Sequence, residues 1–185
     1  MDSPTLTRMS EALCLAGFRV ARFEFAYMEA RRTTGMRRPP PRAETLCSEY
    51  IAAVDELSSD GALIIGGKSM GGRVASMVAD ELLDRAQISG LLCLGYPFHP
   101  IGHPEKPRTA HLAALRTPTL ICQGTRDPFG TREDVEGYTL SKSIEVRWFD
   151  DADHDLKPGK KLGAPGTDHM TVIADLIARW SVTLR

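Results

Sequence analysis

One stretch of sequence constrains the fold more than any other. Ala62-Leu63-Ile64-Ile65 is a short, unbroken apolar run, Gly67-Lys68-Ser69-Met70-Gly71 follows it, and an amphipathic pattern starts at Met70. An apolar run of four is how a strand buried on both faces reads. Val74, Met77, Val78 and Leu82 then recur at helical spacing to about Arg85. A strand, a sharp turn and a helix are therefore joined within a few residues. The turn is crowded, because strand and helix converge there. Small residues are required two before and two after the serine, and Gly67 and Gly71 supply them, with Gly72 adding room. Such a turn lifts the serine hydroxyl above the sheet and aims the free N–H groups of the helix at it.

The rest of the chain repeats the alternation. Ser3-Pro4 is an N-cap followed by proline at the first helical position, and Leu6, Met9, Leu13 and Ala16 run on to a stop at Gly17. Phe18 to Phe25 reads as a strand. Arg31 to Arg42, with five arginines and Pro39-Pro40-Pro41, reads as a long polar connection. A helix is predicted from about Ala43, and strands over Ile88–Leu94, Thr119–Gln123 and Ile144–Phe149. Helices are predicted around His111–Leu115, Arg132–Tyr138 and over a final segment carrying Ile173, Ile177 and Trp180. Strands alternating with helices give a parallel sheet with helices on both faces. The expected class is α/β, a three-layer α/β/α sandwich with a mostly parallel sheet, formed by residues 1–185 as a single domain.

Composition narrows the function classes. The formal net charge is −1 and aromatics make up 6% of the chain, so neither a basic nucleic-acid surface nor a stacking platform is expected. No run reaches transmembrane length. Cys14, Cys47, Cys93 and Cys122 show no metal-ligand spacing, and Cys93 and Cys122 sit in apolar runs as core thiols. A cytoplasmic location, a small-molecule substrate, and no metal or organic cofactor are expected. The oligomeric state is left open.

A serine hydroxyl needs a base, and the base needs an orienting carboxylate. Asp127 lies just past the strand Thr119–Gln123, and His154 just past Ile144–Phe149. Both therefore fall where parallel strands present a site, in the order serine, acid, base. His99, His103 and His111 precede Asp127, and His169 starts the last helix. A phosphate-binding loop is the rival reading of Gly67-Lys68-Ser69. It would need a glycine where Ala62 stands and would consume the strand at Leu63–Ile65. A serine that merely caps the helix is the other alternative.

The segments Tyr27-Met28-Glu29-Ala30-Arg31-Arg32, Gly66 to Arg73, Gly95-Tyr96-Pro97-Phe98-His99-Pro100, Gln123 to Pro128 and Asp153-His154-Asp155 carry a resemblance. The chain resembles small, lidless α/β-hydrolases related to dienelactone hydrolases. It is most similar to a bacterial branch whose animal relatives include a testis-expressed protein and a histone-acetyltransferase subunit. The resemblance implies a triad of Ser69, Asp127 and His154, with the Met70 N–H as an oxyanion donor. It also implies an α/β-hydrolase fold lacking its first strands. The family's opening strands and H-G-x-G-like loop, source of a second oxyanion donor, have no counterpart before the first helix. Met1 is therefore expected to be an internal methionine of a longer protein or a mis-assigned start. The loop from Tyr96 to Arg108 is expected to overhang the site and offer Tyr96, Phe98 and His99 to substrate. Arg31, Arg32, Arg37 and Arg38 follow the first predicted strand and approach the same edge. The expected activity is hydrolysis of an ester or related acyl bond. A catalytically weak or inactive member acting as an interaction module is the alternative.

Overall fold

The computed structural model describes residues 3–35, 39–57, 61–159 and 169–184. Helix α1 (Pro4–Leu15) starts as the sequence predicts, with Ser3 Oγ accepting from the Leu6 N–H and proline in the first turn. Helix α2 (Ala26–Thr34), a 3₁₀ turn at Ala43–Leu46 and helix α3 (Cys47–Asp55) follow. Then strand β1 (Ile64–Lys68), helix α4 (Met70–Asp84), strand β2 (Gly90–Leu94), a 3₁₀ turn at Ala110–Ala114 and strand β3 (Thr119–Gly124) alternate. Helix α5 (Arg132–Glu136), strand β4 (Ile144–Phe149) and helix α6 (His169–Ser181) complete the order.

The four strands form one sheet in the order β1-β2-β3-β4, every pairing parallel. Alternate residues of each strand feed opposite layers. Ile65, Leu91, Cys93 and Ile121 pack with Tyr50, Val54, Val74, Val78 and Leu82 of α3 and α4. Leu92, Leu94, Leu120 and Cys122 pack with Met9 of α1 and Ile173 and Ile177 of α6. The sandwich is therefore three-layered, and Cys93 and Cys122 are buried within it. Burial pushes the Cys122 thiol up to about 12. No described helix is long and apolar enough to cross a membrane.

Three expectations are corrected. Phe18–Phe25 is not a strand and enters no ladder. Its aromatic members turn to α3 instead, with the Phe23 and Phe25 rings 5.1 and 6.3 Å from the Tyr50 ring. The outer edge of β1 is met by a side chain: the Tyr50 hydroxyl accepts from Gly66 N (3.0 Å) and donates to Gly66 O (2.7 Å). That pairing satisfies a residue whose backbone groups point away from β2.

The polar connection begins later than predicted, because α2 carries the chain to Thr34. This helix buries no residue, so it lacks the apolar stripe by which a helix is read. Finally, β1 extends past Ile65 through Gly66, Gly67 and Lys68, which pair with Leu92, Cys93 and Leu94. The residues before the serine are thus part of the sheet.

Candidate active site

The turn at Ser69 has the strain its crowding implies. Ser69 has φ 52° and ψ −118°, left-handed backbone that a non-glycine residue holds only when its surroundings impose it. Its N–H donates to Leu94 O (3.1 Å), which continues the β1–β2 ladder to the serine itself, and its carbonyl accepts from Arg73 N (3.0 Å) in the first turn of α4. The glycine requirement is partly reassigned. A Cβ on Gly67 would lie 2.4 Å from Gly71 C and 2.6 Å from Gly72 N, and one on Gly72 would lie 2.7 Å from Gly67 O. A Cβ on Gly71 would meet nothing within 4 Å. The tight pair is therefore Gly67 and Gly72. Ser69 occupies the N-cap position of α4 but makes no side-chain cap bond, which removes the capping alternative. Ile64 and Ile65 are committed to β1, which removes the phosphate-loop alternative.

Asp127 and His154 are brought together by the ends of β3 and β4. His154 Nδ1 lies 2.7 Å from Asp127 Oδ2, with Asp127 fully buried and the His154 side chain 20% exposed. The carboxylate accepts, so Nδ1 carries the proton and Nε2 is left as an acceptor. Asp127 Oδ1 also accepts from Phe129 N (2.9 Å). The Phe129 ring packs on the imidazole at 4.5 Å between centroids.

The sequence assigns no role to Gln123, the penultimate residue of β3. It is fully buried. Its Nε2 faces Asp127 Oδ2 (2.9 Å), Tyr96 O (3.2 Å) and Gly130 O (3.2 Å), while Oε1 accepts from Tyr96 N (2.8 Å). One amide therefore fixes the carboxylate and the chain leaving β2. The signal was present: a polar amide ends an otherwise apolar strand four residues before the acid.

The serine and histidine are joined through β2 and through a salt bridge. Leu94 holds Ser69 N, and the next residue, Gly95, lies against the imidazole. A Cβ on Gly95 would lie 2.6 Å from His154 O and 3.2 Å from Nδ1, so only glycine lets the ring approach. Lys68 Nζ lies 2.8 Å from Asp155 Oδ1. Its hydrogen bond holds the Asp155 carboxyl down at about 2, with Lys157 adding to the effect. The acidic run around His154 is thereby more ordered than a solvated loop. Asp151 pairs with Arg126 (2.7 Å), and Asp153 Oδ1 accepts from Asp155 N (2.8 Å) and Lys157 N (3.0 Å). Among the described residues, no hydrogen bond joins Ser69 Oγ to a partner.

The expected substrate contacts at Tyr96, Phe98 and His99 are corrected. The side chains of Tyr96 and Phe98 are fully buried and that of His99 nearly so. Tyr96 and Phe98 pack on each other in the core, and His99 Nε2 lies 3.3 Å from Asp134 Oδ2. The apolar area of these aromatic side chains draws the loop inward. Arg31 and Arg32 lie on the exposed α2, where Arg32 pairs with Glu24 (3.0 Å). Arg37 and Arg38 fall outside the described residues.

The model of one family, an alpha/beta hydrolase domain, matches residues 1–182. The chain belongs to the alpha/beta hydrolase domain family. This alpha/beta hydrolase domain also resembles solved structures of the same fold. A hydrolase of the alpha/beta superfamily from Xanthomonas campestris matches with a TM-score of 0.64 at 20% identity, over 99% of this chain and 92% of that one. A monoacylglycerol lipase from Paleococcus ferrophilus matches with a TM-score of 0.65 at 14% identity, over 96% and 90%. The esterase domain of a Rhodothermus marinus protein matches with a TM-score of 0.61 at 17% identity, over 96% and 79%. The four-stranded parallel sheet with flanking helices is thus an alpha/beta hydrolase fold.

Proposed function

We propose that this chain is a serine hydrolase that cleaves an ester or related acyl bond of a small molecule. The observation that carries the reading is the 2.7 Å contact between His154 Nδ1 and a fully buried Asp127, next to a serine on a strained strand–helix turn. In this reading His154 Nε2 takes the proton of Ser69 Oγ as the oxygen attacks the carbonyl carbon. The carbonyl electron pair moves onto oxygen, where the Met70 N–H at the head of α4 donates to it. Collapse of the intermediate expels the alcohol, which takes the proton from His154. Water then attacks the acyl-serine with His154 as base, releasing the acid and restoring Ser69. The names of the Rhodothermus esterase domain and the Paleococcus lipase support ester chemistry. Buried thiols at Cys93 and Cys122 accord with a reducing, cytoplasmic setting.

A second reading, a binding module on the same fold, draws on the Ser69 hydroxyl, which has no hydrogen-bond partner among the described residues. Hydrogen bonds of this kind often form only once substrate is bound. Hydrolysis of p-nitrophenyl acetate separates the two. Turnover that is lost in Ser69→Ala and in His154→Ala upholds the hydrolase. A rate equal to the buffer blank, from a folded sample, upholds the binding module.

A further inference from the structure

His99, in the loop that follows β2, has an acceptor at each ring nitrogen. Its side chain is 3% exposed. Nδ1 lies 2.8 Å from Pro100 O, and Nε2 lies 3.3 Å from Asp134 Oδ2. A carbonyl oxygen accepts only. The carboxylate oxygen is also without a proton, because its other neighbours are donors. Thr131 N donates to Asp134 Oδ2 (3.0 Å). The Thr131 hydroxyl donates to it too (2.7 Å), since its oxygen accepts from Asp134 N (3.3 Å). That hydroxyl above all, with the Thr131 N–H and His99, holds the Asp134 carboxyl below its ordinary value against the effect of burial. Both nitrogens of His99 therefore carry a proton. A neutral ring would turn a lone pair on one of these oxygens, a buried mismatch that native structures rarely keep.

The same residue grips the loop of the acid at two points. His99 N donates to Phe129 O (3.1 Å), while its ring holds Asp134. Phe129, at the near end of this grip, touches acid and base alike. Its N–H donates to Asp127 Oδ1 (2.9 Å), and its ring packs on the His154 imidazole at 4.5 Å between centroids.

The ionisable groups around His99 leave Asp134 as the charge in contact with the ring. On α5, Glu133 and Glu136 are exposed, and Arg132 turns to Trp148 (5.4 Å) and Asp150 (3.8 Å). The Tyr138 ring stands edge-on to His99 at 6.5 Å, and its hydroxyl donates to Pro104 O (2.9 Å). Burial first, then Asp134 and Glu105, raise the Tyr138 phenol, so it stays neutral. On the loop of His99 itself, His103 pairs with Glu105 at the surface (3.0 Å), Lys106 is exposed, and Arg108 interacts with Arg73 and Tyr96.

We propose that His99 is a positioning residue: as an imidazolium it clamps Phe129 and Asp134 and so sets the ring of His154 through Phe129, and loss of its second proton releases the clamp as pH rises. The effect on rate rests on the serine-hydrolase reading. The protonation state and the coupling to His154 do not.

The test is long-range proton–nitrogen NMR of the full chain labelled at histidine, with His99 assigned by its loss in His99→Gln. Both His99 nitrogens are expected to be protonated at neutral pH. Asp134→Asn removes the facing charge and is expected to lower the pH at which the second proton leaves. The His154 Nδ1 proton is expected to shift in the same step. In the p-nitrophenyl acetate assay, kcat of the wild type is expected to fall on the alkaline side in that step. His99→Gln is expected to lower kcat by about tenfold to a hundredfold at unchanged KM and to lose the alkaline step. A merely structural contact moves stability and leaves the pH profile in place. A bare nitrogen on His99 at neutral pH, or a His154 resonance that ignores the His99 titration, overturns the clamp. Both signals as expected, with kcat and pH profile unmoved in His99→Gln, overturn the positioning role and leave the hydrolase reading standing. Both signals as expected from a chain that hydrolyses nothing uphold the clamp and overturn the hydrolase reading.

Discussion

Lys68, the residue before the serine, is salt-bridged to Asp155, the residue after the histidine, at 2.8 Å. The bond ties the end of β1 to the loop that carries His154. Lys68→Met is expected to lower kcat by up to about 100-fold, because misplacing a catalytic group by about an ångström costs that much. Stability is expected to fall by no more than about 1 kcal/mol, since the pair is partly exposed. The charge-reversed double variant Lys68→Asp with Asp155→Lys restores part of kcat if the tie positions His154. The carboxyl of Asp155 is depressed in the folded chain, so its contribution is complete above the unfolded value of about 4. It is lost as pH falls through about 2. Acid unfolding curves of the wild type and Lys68→Met therefore converge across that window.

Asp127 accepts from His154, Gln123 and Phe129 with no exposure to solvent. Asp127→Asn keeps the shape but allows the imidazole the wrong tautomer, and kcat is expected to drop by about 10⁴-fold. Gln123→Leu strips a donor from Asp127 and leaves Tyr96 N without its acceptor. Each buried group so orphaned costs about 1–3 kcal/mol. Steady-state esterase kinetics and urea unfolding, run in parallel, resolve the two effects. Asp127→Asn is read mainly in rate, and Gln123→Leu in both.

The Tyr50 hydroxyl completes the edge of the sheet at Gly66. Tyr50→Phe keeps the ring packing on Phe23 and Phe25 and removes only the two hydrogen bonds. A loss of about 1–3 kcal/mol is expected, seen as a fall of several degrees in Tm. A melting temperature equal to that of the wild type contradicts this role for Tyr50.

The sheet was legible where apolar residues run on unbroken, as in Leu120–Cys122, or alternate with charged ones, as in Ile144–Phe149. Ile144–Phe149 matches β4 at both ends, and Thr119–Gln123 misses β3 by one residue. The elbow was legible because sterics leave few sequences able to make it. Phe18–Phe25 misled because alternating aromatics signal a half-buried extended segment without saying what it pairs with, and here the partner is the α3 face. The burial of Tyr96 and Phe98 and the tie of Lys68 to Asp155 depend on contacts between residues about 30 to 90 positions apart. No local pattern encodes such contacts.

The central claim is that Ser69 is an activated nucleophile, and a fluorophosphonate probe measures this directly. The chain is treated with the probe and digested, and the peptide containing Ser69 is followed by mass spectrometry. Labelling is expected at Ser69, abolished by Ser69→Ala and slowed at least a hundredfold by His154→Ala. A folded, cooperatively melting sample that stays unlabelled at Ser69, or labels equally fast without His154, contradicts it.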